Sequence, residues 1–239
     1  MQGYHQDPGY APRMYANSRT SLEGGARQFM SGVYAWMAAG FAVTALVAYF
    51  VANSYAAMML VHASPLRWLF LLAPLAMSWF LFPRIPGMDR PLALGSFVVF
   101  TAMIGAWFSY LPYIYTTGSI LGVLGATIGM FAGTSIFGWL TKRDLTGVGQ
   151  FALMALLGAI FASFINAFLL QSDATSIVVS AIVAAVSAAL TAYHTQAIKQ
   201  MYLVQGAQGN FAILGALMLY VNFINLFVSL LRLFGVSRD

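Results

Sequence analysis

The chain has 239 residues, of which 61% are hydrophobic and 7% charged, and its mean hydropathy is +0.80. Soluble domains carry about 25% charged residues, so this composition excludes a soluble globular fold and indicates an integral membrane protein. The net charge of +5 reads as membrane orientation rather than nucleic-acid binding, and the lack of cysteine excludes disulfides, thiol catalysis and thiolate metal sites.

Residues 1–28 are polar, and Gly3, Pro8, Gly9, Pro12, Gly24 and Gly25 discourage a helix. They are expected to form a disordered cytoplasmic leader, and no apolar core near Met1 marks a cleavable signal. Residues 29–235 form the membrane domain and residues 236–239 a short tail. The membrane domain divides into seven apolar runs: Phe29–Ala52, Leu66–Phe82, Leu92–Leu111, Ser119–Leu140, Gly149–Leu170, Ser176–Lys199 and Phe211–Phe234. Runs of about 20 residues can cross the hydrocarbon core as helices, and these lack the alternation of barrel strands. The predicted fold is therefore all-α, with seven transmembrane helices. The second run is short and carries Pro74 in its middle, which predicts a kink or tilt.

The connections sort by charge. Arg13, Arg19 and Arg27 precede span one, Arg84 and Arg90 follow span two, Lys142 and Arg143 follow span four, and Lys199 ends span six. The alternate links Asn53–Pro65, Pro112–Gly118 and Gln171–Thr175 contain no Lys or Arg. Basic residues mark the cytoplasmic side, so the amino terminus is expected inside and the carboxyl terminus outside. Arg232 and Arg238 run against that rule, and a re-entrant last segment ending inside is the alternative.

Span four repeats glycine at a four-residue step, Gly125, Gly129 and Gly133, which reads as a helix-packing face. Ser180, Ala184, Ala188 and Ala192 give span six the same step. Within the spans only His194 titrates near neutral pH, because all six carboxylates (Asp7, Glu23, Asp89, Asp144, Asp173 and Asp239) lie in tails or connections. An ionisable group at membrane depth costs about 2.5–3.5 kcal/mol on insertion scales, which makes His194 a functional candidate. The plainer alternative is a neutral imidazole bonded to a neighbouring helix.

Span seven places Asn222 and Asn225 three residues apart on one face, and Ser229 extends that face by four more. Lipid cannot satisfy carboxamides, so they must point inward, which predicts a central last helix wrapped by the others. Asn166 and Gln196 are their candidate partners, and Tyr220 joins the polar-core or pore set. Ser135 pairs with His194 on paper, but no intramembrane carboxylate is available to orient the imidazole. Accordingly neither catalysis nor catalytic residues are expected. No carboxylate or nitrogen cluster suits a metal, and no cofactor is implied.

Several motifs together resemble the Bax inhibitor-1 family in its bacterial inner-membrane branch. They are Gly32-Val33-Tyr34-Ala35-Trp36-Met37, Thr141-Lys142-Arg143-Asp144-Leu145-Thr146-Gly147, Ala192-Tyr193-His194-Thr195-Gln196, and Leu214 to Tyr220 running into Asn222-Phe223-Ile224-Asn225-Leu226-Phe227. The resemblance covers about Arg27 to the end. It implies seven helices with the last one surrounded, a location in the inner membrane, and a pH-sensitive calcium leak in which two aspartates act as sensor. Those two positions correspond here to His194 and Asn222, so both carboxylates are replaced. A His/Asn pair supplies no negative charge at any pH. Two functions follow as expectations. One is a pH-responsive leak for calcium or protons with an altered sensor pair. The other is an interaction protein in the lipid bilayer that modulates a membrane protease or other membrane complex.

Overall fold

The computed structural model describes residues 10–207 and 209–238, and no β-strand occurs among them. The first helix, α1, spans Tyr10–Ala52. This departs from the expected leader, which is helical from Tyr10 onward, while residues 1–9 lie outside the described residues. Pro12 falls in the first turn, where its missing N–H removes no helical bond. Gly25 is a contact point rather than a break, since a Cβ there would lie 2.0 Å from the Tyr202 hydroxyl. From Ala26 onward buried Phe29, Met30 and Val33 hold the helix against the bundle.

The second run forms one arm of a broken pair, whose other arm lies in the expected link Asn53–Pro65. Helix α2 (Tyr55–Met58) passes into a π-helical turn, Met59–Ala63, and α3 (Arg67–Phe80) follows at a 68° bend. The break lies before α3, and α3 continues through buried Pro74. Ser64 is extended at ψ 166°, its hydroxyl accepts from the Leu66 amide at 3.1 Å, and Pro65 has no N–H with which to continue a helix. A 3-10 turn over Phe82–Gly87 leads to α4 (Arg90–Phe108), then to short α5 (Leu111–Ile114) and α6 (Thr117–Leu140). Helix α7 (Thr146–Ile165) ends in a π-helical turn over Asn166–Leu170, and α8 (Asp173–Gln205) and α9 (Phe211–Phe234) complete the chain. Thr116 and Ser172 cap α6 and α8 by accepting from the amides of Ser119 and Thr175. Gly206 and Gly209, with φ of 70° and 59°, turn α8 into α9 in a conformation that favours glycine.

Among the described residues six helices are long and apolar enough to cross a membrane, or seven if the bent pair counts as one span. Their outer surfaces leave large apolar side chains uncovered, including Phe151 at 74% and Leu169 at 77% exposure. Such patches on a soluble monomer would drive association, whereas here they meet lipid. Helix α9 packs against α1, α4, α6, α8 and the Phe82–Gly87 turn. It carries the core residues Leu217, Leu219, Tyr220, Leu226 and Leu231, all 0–1% exposed.

Contacts between connections assign the two ends of the bundle. At one end the Asn210 carboxamide donates to the carbonyls of Ile85 and Met88, and Lys199 Nζ donates to the Trp139 carbonyl at 3.2 Å. At the other, the Tyr113 hydroxyl donates to the Ala52 carbonyl, and Arg238 donates to the carbonyls of Ile114 and Pro112. The basic links thus gather at one end and the Lys/Arg-free links at the other. Helix α9 runs unbroken between them, which does not match a re-entrant last segment.

The glycine face of α6 does not pack as expected. A Cβ on Gly125, Gly129 or Gly133 would meet nothing within 4 Å, so that face looks outward. The close approaches use other glycines. A Cβ on Gly138 would lie 2.2 Å from the Ala192 carbonyl oxygen, and one on Gly105 would lie 2.5 Å from that of Thr44. The reason is register: Val123, Thr127, Phe131, Ser135 and Gly138 form the buried stripe of α6, and the GxxxG series lies off it. The Ser180, Ala184, Ala188 and Ala192 stripe of α8 is buried, as its spacing suggests.

Candidate functional site

His194 and Asn222 meet in the seam between α8 and α9. Asn222 Nδ2 lies 2.8 Å from His194 Nδ1, and the residues are 2% and 8% exposed respectively. Local sequence explains the meeting. The tight turn at Gly206–Gly209 makes the helices antiparallel, His194 stands eleven residues before the end of α8, and Asn222 eleven after the start of α9. Gly215 lets α9 approach closely, since a Cβ there would be 3.3 Å from Ile198.

A carboxamide nitrogen can only donate, so His194 accepts at Nδ1 and carries its proton on Nε2. A second proton would turn Nδ1 into a donor, and the bond would survive only if the Asn222 amide turned its oxygen inward. Among the described residues, the helices packed on α8 carry one carboxylate, Glu23 of α1, eleven residues before Tyr34. Helix α8 packs on α1, α6, α7 and α9; α6 and α7 carry no titratable residue, and α9 carries Tyr220 and Arg232. Tyr34 of α1 is bonded to Ser135, and the Tyr193 ring lies 5.2 Å from the imidazole.

The other expected polar-core residues do not converge on this pair. Tyr220 points toward α1, where its hydroxyl lies 2.6 Å from Thr44 Oγ1, and Thr44 in turn donates to the Thr101 carbonyl. Gln196 closes the α6–α7 connection by accepting from the Leu145 amide and donating to the Arg143 carbonyl, at 2.9 and 2.8 Å. Asn166 closes the α7–α8 turn in the same manner, accepting from the Ser172 amide and donating to Ser176 Oγ and the Ser172 carbonyl. Both are corrections to their expected pairing with span seven: each carboxamide sits at a helix end, where free backbone groups need partners. Asn225 is half-buried and, among the described residues, has no side-chain hydrogen-bond partner, while Ser229 is buried in α9. Ser135 bonds Tyr34 and Thr195 rather than His194.

His62 escaped the sequence reading because the break after Ala63 interrupts its apolar run. Its Nε2 lies 2.9 Å from Ser109 Oγ, beside the rings of Trp107 and Tyr110. The helical spacing of Met58 and His62 was the signal that would have found it. Among the described residues, no group of three or more His, Cys, Asp or Glu is placed to hold a metal ion.

These features define a polytopic α-helical membrane protein with a histidine–carboxamide pair buried between its last two long helices. The family profile described as inhibitor of apoptosis-promoting Bax1 matches residues 26–239, and the chain belongs to that family. Among its relatives, Inner membrane protein YbhL of Escherichia coli K12 is 38% identical over 224 residues, covering 90% of this chain and 94% of that protein. An uncharacterized protein of Deinococcus radiodurans is 38% identical over 216 residues, covering 89% and 92%. Uncharacterized protein RP147 of Rickettsia prowazekii is 33% identical over 222 residues, covering 92% and 94%.

Proposed function

We propose that this protein is a pH-responsive leak pathway for calcium or protons in a bacterial inner membrane, built as a seven-span bundle around α9. In this reading the amino terminus is cytoplasmic, and the end carrying Arg84, Arg90, Lys142, Arg143 and Lys199 faces inward. The observation that carries it is the His194–Asn222 bond inside the α8–α9 seam. Protonation of His194 demands a new amide orientation at Asn222, which makes the pair a two-state element on the helix that touches most of the bundle. The protein supplies no enzymatic chemistry in this reading.

Purified protein in liposomes tests it, with internal calcium and pH dyes and imposed gradients. The expected result is a flux of one of these ions that changes as pH falls and loses that change in His194→Ala. Identical flux through wild type and His194→Ala at every pH sinks the sensor assignment. In His194→Asp/Asn222→Asp, restored negative charge is expected to raise calcium permeability.

The outward face of α6 favours a second reading. Gly122, Gly125, Gly129 and Gly133 leave a smooth exposed track with nothing from the described residues upon it. Small residues let a foreign transmembrane helix approach closely, and an interaction protein acting on a membrane protease or other complex would use such a face. Mild-detergent affinity purification of wild type and Gly129→Leu separates this reading from the leak, since only a partner-binding role predicts a reproducible companion lost in the variant.

A further inference from the structure

Residues seven apart on an α-helix return to within about 20° of the same face and stand about 10.5 Å apart along the axis. Helix α8 repeats polar residues at that interval, Ser180, Ser187 and His194, and all three are at least 92% buried. Helix α9 repeats Gly215, Asn222 and Ser229 at the same interval. The His194–Asn222 bond and the Gly215–Ile198 approach show which faces meet. Counting outward from that bond, Ser187 and Ser229 stand on one level of the seam, each one heptad beyond the pair.

The hydroxyls of Ser180 and Ser187 lie at 2% and 0% exposure and have no hydrogen-bond partner among the described residues. Buried polar groups in native structures are satisfied by protein or by ordered water. Successive hydroxyls about 10.5 Å apart cannot bond one another. Asn225, half-buried three residues after Asn222 on α9, adds a carboxamide with no side-chain partner among the described residues.

We propose that the α8–α9 seam binds a column of water running from the His194–Asn222 pair past Ser187 and Ser229 toward Ser180, and that this column carries protons rather than calcium. The proposal deepens the leak reading by naming its ion, and it rests on that reading for its direction of use. The chemistry selects the proton. Hydroxyls, a carboxamide and an imidazole exchange protons with water, whereas calcium requires six to eight oxygen ligands with carboxylates among them. The nearest carboxylate on either helix is Asp173, at the start of α8.

Two measurements on the full chain test this. The first is radiolytic hydroxyl labelling in lipid nanodiscs, which marks side chains beside bound water. Labelling of Leu190, between Ser187 and His194 and 1% exposed, is expected to exceed that of Leu217 and Leu219, both 0% exposed, and equal labelling overturns the column. The second is proton and calcium flux in liposomes. Wild type is expected to pass protons, and Ser187→Leu to slow them roughly tenfold or more by placing hydrocarbon in the path. Should Ser187→Leu fail to fold, Ser187→Ala supplies the sign. Losing a water-bonded hydroxyl lowers the unfolding midpoint, whereas removing an unpaired one raises it, so a raised midpoint overturns the column. Liposomes that pass calcium but not protons overturn the inference and leave the leak reading standing. Liposomes that pass neither ion overturn the leak reading, and the labelling then decides the column alone.

Discussion

Asn222 donates to Nδ1 of His194 across the α8–α9 seam at 2.8 Å, and the imidazole thereby carries its proton on the other nitrogen. This single bond joins the only histidine of α8 to the most buried of the long helices.

Breaking the pair from either side leaves a buried polar group without a partner, at a cost of about 1–3 kcal/mol. His194→Ala and Asn222→Ala are each expected to lower the thermal midpoint in detergent. The double variant should lose less than the sum, with a coupling on the order of 0.6 kcal/mol, as for interhelical hydrogen bonds in membranes. Additive losses measured by denaturant or thermal unfolding would show that the two side chains do not interact.

The glycines of α6 separate packing from spacing. Gly138→Ala places a methyl 2.2 Å from the Ala192 carbonyl oxygen and forces α6 and α8 apart, at a cost of at least about 1–3 kcal/mol. Gly129→Ala meets nothing within 4 Å and is expected to be neutral or to stabilise by up to about 1 kcal/mol through helix propensity. Comparing their unfolding midpoints decides the matter, and equal destabilisation by both would contradict the arrangement.

Gln196 holds the α6–α7 connection through the Arg143 carbonyl and the Leu145 amide. Gln196→Leu removes both bonds and should loosen the segment carrying Lys142 and Arg143. Limited trypsin digestion of sealed vesicles is expected to cut there faster in the variant than in wild type, with the remaining sites unaffected. Unchanged cleavage would mean that the connection is held by other contacts.

Asp144 lies outside the spans, and the Thr146 hydroxyl and amide both donate to its carboxylate, at 2.6 and 2.9 Å. These bonds, the hydroxyl first, hold the carboxyl below its ordinary value. A depressed carboxyl stabilises the folded form above the ordinary aspartate range, and the contribution disappears as pH falls through the lowered value. NMR titration should therefore find Asp144 below an ordinary aspartate in wild type and displaced upward in Thr146→Ala. A titration that does not move in the variant would remove Thr146 as the cause.

The sorted basic links predict sidedness. With no native cysteine in the chain, single substitutions Arg143→Cys and Tyr113→Cys can be labelled from either side of intact cells. The impermeant thiol reagent is expected to reach Tyr113→Cys from outside and Arg143→Cys only after permeabilisation. The reverse pattern would invert the proposed topology.

Much of this architecture was legible in the primary structure. Hydropathy alone placed the long helices, because a segment with nothing to offer water must lie in lipid or in the core, and every run but the first, whose helix begins well before Phe29, appears as a helix near its expected bounds. The inward aim of Asn222 followed from the same rule. The break at Ser64–Leu66 was less visible, since a helical turn on either side of Pro65 has the composition of an ordinary link.

What the sequence determined by itself was the membrane class, the span order and the identity of the polar residues, all of which depend on local composition. Tertiary structure alone decided which of those residues meet. Asn166 and Gln196 share the residue chemistry of Asn222, yet they satisfy helix ends, while Asn222 finds His194. Likewise Gly129 and Gly138 are both glycines of α6, and only the second faces α8. Partner choice depends on the rotation and level of one helix against another, a property of the packed bundle that spacing along one chain segment does not contain.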